Sequence, residues 1–118
     1  MKELVRITAC LSFLFAAHSA FACDYPSKVS VPNGSTASQE EMIEGQRAVK
    51  QYVADMEAYL ECIVEEEKSA RAAMELEPED EEQREITLTK KYNAAVGEME
   101  KVAAEFNAEV QSYKARND

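Results

Sequence analysis

Histidine is nearly absent from this chain of 118 residues, and tryptophan is absent altogether. The single histidine, His18, lies in a leader, so the remainder of the chain has none. That excludes Ser-His-Asp and Cys-His catalysis and every histidine-based metal site from the mature protein. Long apolar runs are equally scarce. The one present, residues 7–17 (ITACLSFLFAA), is too short to span a bilayer as a helix. It follows Lys2 and Arg6 and precedes Ala20, Phe21 and Ala22, a small-x-small cleavage pattern. Residues 1–22 therefore read as a signal peptide, the competing reading being a buried N-terminal helix. No other apolar run exists, so no membrane association of the mature form is expected.

Positive charge is the next shortage. The 13 basic and 23 acidic residues become 11 and 22 once Lys2, Arg6 and Glu3 leave with the leader, a net charge of −11. Such a chain repels nucleic acid and anionic lipid, while a basic partner stays open. Cysteine is sparse too. Cys10 lies in the leader, which leaves Cys23 and Cys62. Export leads to a disulfide-forming compartment, and the spacing is not that of a Cys-x-x-Cys redox motif. A structural bridge is within reach. From Ser38 to Cys62 a helix covers about 36 Å, and the 15 residues from Cys23 to Ser38 extend up to about 50 Å. Lipidation of Cys23 is the alternative, although Ala20 and Phe21 fit a lipobox poorly.

What the sequence has in plenty is helical periodicity. Every seventh residue from Tyr92 gives Tyr92, Met99, Phe106 and Tyr113, with Val96, Ala103 and Val110 as a second row. The same stripe occurs earlier as Met42, Val49, Met56 and Ile63, beside Gln46, Val53 and Leu60. Seven residues are nearly two turns, so each set is one apolar face of a helix. Ser38 and Glu41 form a capping box that starts the first helix. Pro78 breaks the chain and suits a first helical turn, and the acids at 79–82 complement the helix dipole there.

The expected architecture is all-α: an antiparallel, coiled-coil-like two-helix hairpin at residues 39–118. Its helices span 39–76 and 78–115 and fold back at 77–78. An extended segment, 23–38, lies along them, with a turn at Pro32, Asn33 and Gly34. One continuous helix is the rival, opposed by Pro78. A fold-back there makes facing residue numbers add to about 155. Val49 then faces Phe106 and Met56 faces Met99, while Lys50 meets Glu105 and Arg47 meets Glu109. The expected core is Met42, Val49, Met56, Ile63, Tyr92, Met99, Phe106 and Tyr113.

Other groups read more simply. The acids at 75–82 lack the order of a calcium loop and read as a solvated run. Tyr52 and Tyr59 flank the stripe as edge packing. Asn93 and Asn107 lie fourteen residues apart on one face and are expected to hold the extended segment by its backbone. Tyr52, Tyr59, Ala95 and Val102 form a third row, and a surface the segment leaves open is expected to support a weak homodimer.

Several of these signals occur in a familiar order. A leader and cysteine precede Val-x-Val-Pro-x-Gly, Ala-Val-Lys-x-Tyr-Val and Ala-Tyr-Leu-x-Cys, then Tyr-Asn-x-Ala-Val and Phe-Asn-x-x-Val. The chain thus resembles small exported helical proteins of proteobacteria, a group with no assigned activity. The resemblance implies export and a periplasmic or secreted location, and carries over no catalytic or binding residues. The expected role is a non-enzymatic interaction or structural module of the bacterial envelope with an unidentified protein partner. A periplasmic chaperone holding unfolded clients is the alternative. No catalytic set, cofactor or metal is expected, because no nucleophile stands beside a base.

Overall fold

In the computed structural model the described residues are 23–117, with the side chain of Asn117 left aside. The expected signal segment, 1–22, lies outside the described residues. Two helices, α1 (Gln39–Ala72) and α2 (Pro78–Asn117), pack on each other as a hairpin. Residues 23–38 lie along it without regular structure apart from a turn.

Ser38 starts α1 as expected. Its hydroxyl accepts from the Glu41 amide at 3.1 Å, and its own amide donates to Glu41 Oε2 at 2.6 Å. Two orphan amides are thereby satisfied, worth about 1 kcal/mol to the helix. The backbone and hydroxyl hydrogen bonds with Ser38 hold the Glu41 carboxyl below its ordinary pKa.

α1 ends at Ala72, four residues before the expected 76. Pro78 is the cause. It disfavours the helical conformation at Glu77, whose carbonyl instead accepts from Asp80 and Glu81 to start α2. Residues 73–77 therefore form a real connection, not a one-residue corner. The register moves with it. Gly45 lies beside Phe106, and Arg84 is hydrogen-bonded to Glu67. Both pairs of numbers add to 151, which corrects the expected 155. None of the charge pairs expected across the hairpin forms. The ion pairs seen among the described residues are Lys68 with Glu65, and Arg71 and Arg84 with Glu67.

The core shifts by part of a turn as well. Met42, Val49, Met56, Ile63 and Phe106 are buried as expected. Met99 and Tyr113 are only half-buried, and Tyr92 is 40% exposed, so Tyr92 is not a core residue. Tyr52, Leu60, Ala95 and Val102 take those places. The new register sets fully buried Met56 opposite fully buried Ala95, a long side chain against a short one. Most of the third row beside the stripe, namely Tyr52, Ala95 and Val102, is thus interior.

The extended segment explains the shift. Val29, Val31 and Cys23 pack against the core, and Ala37 is part of it. Gly45 permits the approach: a Cβ there would stand 2.6 Å from the Pro32 ring. Gly34 does the same against α2, where a Cβ would collide with the Glu109 carbonyl. Neither glycine has a positive φ, so closeness and not conformation demands them.

A paired substitution tests this packing. Gly97 has nothing within 4 Å of its would-be Cβ. Gly97→Ala should therefore stabilise the protein by about 0.5–1 kcal/mol through helix propensity alone. Gly45→Ala gains the same propensity but overpacks Pro32, at a cost of about 1–3 kcal/mol. Its melting temperature should fall. A rise of equal size in both variants would mean the segment does not lie against α1.

Candidate interaction site

The extended segment is fastened along its length. At its start Cys23 and Cys62 form a disulfide, with Cα atoms 5.7 Å apart and a sequence separation of 39. Close by, the Tyr25 and Tyr59 rings meet edge to face at 5.0 Å. Further on, the Gly34 amide donates to Glu109 Oε2 at 2.6 Å. The Asn33 side chain and carbonyl accept from the amides of Ser35, Thr36 and Ala37, which shapes the turn. At its end Arg116 donates to the Ala37 carbonyl at 2.6 Å and lies 5.0 Å over the Tyr113 ring. Glu109 and Arg116, not Asn93 and Asn107, hold the segment. The two asparagines are exposed, and their side chains make no hydrogen bond among the described residues.

Tyrosine ionisation registers the same packing. Burial first, then the Glu98 carboxylate and Tyr59, push the Tyr25 hydroxyl above its ordinary pKa. Burial, Tyr25 and Glu98 raise Tyr52 in the same direction.

The disulfide fixes the chemistry at Cys23. Its Sγ lies 3.1 Å from Glu66 Oε2, but a bonded sulfur has no proton to donate. Cys23, Cys62 and Glu66 together have a cation-ligand arrangement only when reduced, since the bonded sulfurs offer no thiolate. The bond also consumes the atom that lipidation of Cys23 would modify. No helix among the described residues is long and apolar enough to cross a membrane. A disulfide fits an oxidising compartment.

Beyond Cys62 the described part of the segment no longer reaches, and among the described residues the hairpin's turn end is open. A groove of about 370 Å³ lies there between the helices. Ile63, Ala70 and Leu88 supply its apolar lining, and Glu66, Thr87 and Lys91 its edge. Glu67 clasps its two sides. One carboxylate oxygen accepts from Arg71 at 3.0 Å and from Arg84 at 2.8 Å, and the other accepts from Arg84 at 3.2 Å. Partial burial works to raise the Glu67 pKa, but the hydrogen bonds and charges of Arg84 and Arg71 outweigh it and lower the carboxyl. The acids at 75–82 are exposed at this same end, with Glu79, Asp80 and Glu81 in the first turn of α2.

Sequence spacing brings Cys23 and Cys62 together correctly. It misses the Glu67 clasp, because a register summing to 155 sets Glu67 opposite Leu88 and leaves Arg84 without an assignment. The available signal was Arg84 itself, the one arginine in the first half of α2.

Two measurements follow from these contacts. Oxidised protein should show no free thiol. Reduction should lower its melting temperature, since closing a loop of this length is worth roughly 4 kcal/mol at the upper end. Two titratable thiols at Cys23 and Cys62 in protein isolated without reductant would contradict the bond. For Glu67, a lowered folded-state pKa stabilises the fold above the unfolded value, 4.5, and that gain is lost as pH falls through the folded value. Glu67→Gln should therefore cost about 1 kcal/mol at pH 7 and clearly less at pH 2. An equal deficit at both values would show that packing, not charge, accounts for it.

No known protein family, no curated protein and no solved structure matches the chain.

Proposed function

We propose that the protein is an exported, non-enzymatic interaction module of the bacterial envelope, held rigid by its strapped segment and binding a protein partner at the turn end. The open groove beside the disulfide carries this reading. A segment fastened at Cys23, Gly34 and Ala37 closes the rest of one side, yet leaves Ile63, Ala70 and Leu88 lining a cleft. The acids at 75–82 surround that end, and the net charge of the mature chain favours a basic partner surface with an apolar centre. The lack of histidine beyond position 18 and the commitment of both mature cysteines to one bond support a role without catalysis. The signal-like leader, the disulfide and the resemblance to exported proteobacterial proteins support the periplasm or the outside of the cell.

The chaperone reading needs a broad apolar face. The large apolar side chains that stand exposed are Tyr25, Ile43, Met74, Ile86 and Tyr92. They are distributed over the segment, both helices and the connection, which favours the narrower role.

Affinity capture from envelope extract tests it, with the disulfide-bonded protein as bait. The wild type should retain a basic protein that Thr87→Arg, which fills and charges the exposed groove edge, does not retain. Equal retention by both baits would remove the turn end as the site. In a light-scattering assay the protein should not suppress client aggregation at equimolar ratio; suppression would favour the chaperone.

A further inference from the structure

The hairpin has two long sides, and the segment closes one of them. Gly45, Tyr52 and Tyr59 of α1 face it, as do Glu109 and Tyr113 of α2. Among the described residues nothing covers the opposite side. Val53 and Val64 of α1 are half-buried there, as are Val96, Ala103 and Val110 of α2, while Tyr92 stands more exposed beside them. Near one end Leu60, Val64 and Tyr92 floor a hollow of about 390 Å³ edged by Glu57, Glu61 and Glu65.

The outer edge of this side is one heptad row of α1: Ile43, Lys50, Glu57 and Val64. Its order is apolar, positive, negative, apolar. Laid antiparallel against a copy of itself about a centre between Val53 and Ala54, the row complements itself. Ile43 then meets Val64, and Lys50 meets Glu57, each twice by symmetry. Lys50 and Glu57 are exposed and form no ion pair among the described residues. Ile43 is 43% exposed, a side chain standing out where the neighbouring surface is polar. The hollow floored by Leu60 and Val64 lies 21 residues further on, about 32 Å along the helix. A two-fold pairing seats the Ile43 of each copy in that hollow of the other. Exposed Ala54 at the centre lets the two helices approach closely.

We propose that this uncovered side is a homodimer interface in which two α1 helices pair antiparallel about Val53 and Ala54, with Ile43 as knob and the hollow beside Val64 as its socket. The occupant is a second copy because the charge order of the row is its own complement. A uniformly basic partner would leave Lys50 without the acidic match that Glu57 of a second copy provides. The pairing is independent of the turn-end site, which lies on neither copy's contact. Its strength is limited by the negative charge on each subunit, which opposes association.

Charge reversal in the disulfide-bonded protein tests the geometry. Wild type should self-associate in sedimentation equilibrium at concentrations up to several hundred micromolar. Lys50→Glu and Glu57→Lys should each weaken association by about tenfold, since each turns two attractive contacts into two repulsive ones. An equimolar mixture of the two variants should restore dimers of wild-type strength, and so should the double variant. Ile43→Ser should weaken association without altering charge. All three positions being on the surface, melting temperatures should stay near that of the wild type.

Glu57→Lys is the decisive variant. It makes each subunit less negative, so a dimer governed by net charge alone would tighten. Tightening, a strict monomer in the wild type, or failure of the mixture to recover would each overturn the proposed pairing. None of these results bears on capture of a partner at the turn end.

Discussion

Two helices cannot bury one another. Each presents an apolar face wider than the strip its partner covers, and the remainder must be covered by something else. In this protein the extended segment provides that cover on one side, and the disulfide anchors it. Without the bond between Cys23 and Cys62, the segment would be held at its start mainly by the exposed Tyr25 ring against Tyr59 and a few apolar contacts. Ordering some fifteen residues costs far more conformational entropy than such contacts return. The bond reduces that cost by restricting the unfolded chain, in the chain-entropy view of disulfides. Tyr52, Ala95 and Val102 are interior because the third element is there to cover them.

That dependence explains which features were legible in the sequence. Local signals translated directly: the Ser38 capping box, the turn after Pro32, the break at Pro78 and the heptad stripe are each set by residues a few positions apart. The pairing of Cys23 with Cys62 followed from chain lengths and redox compartment. The register did not follow, because it turns on how many residues the connection uses. Pro78 restricts Glu77, and that local effect shifts every pairing along the hairpin. The apparent support from charge pairs such as Lys50 with Glu105 and Arg47 with Glu109 was misleading. With acids and bases this dense, some complementary pattern appears at several registers, and solvated pairs are too weak to choose among them.

The core boundary failed for a different reason. A stripe centred on Met99 and Tyr92 assumes that only the other helix is available to cover it. A third element on one side rotates each helix toward it, which buries Ala95 and Val102 and brings Tyr92 out. Gly45 was the clue. A glycine in mid-helix looks like a weak point until its neighbour is the Pro32 ring, and then it is the only residue that lets the segment lie flat. Glu109 was hidden in the same way: it read as the partner of Arg47 across the hairpin, and it is the acceptor for the Gly34 amide.

Charge and packing consequently have separate tasks in this molecule. Apolar burial, the proline-limited connection and one covalent bond are sufficient to set its shape, and the observed ion pairs cluster around Glu65 and Glu67 near the turn. Lys50, Glu57 and Glu61, like most of the acids, remain solvated. A charge that does not stabilise the monomer costs little to redirect toward another molecule, because no internal contact is lost when a partner engages it. Specificity can therefore reside in the order of charges along an exposed helical row, while the fold itself is indifferent to that order. A rod with one side strapped shut, one side open and one end ringed with acid is physically suited to interaction, since its recognition surfaces can vary without disturbing the contacts that keep it folded.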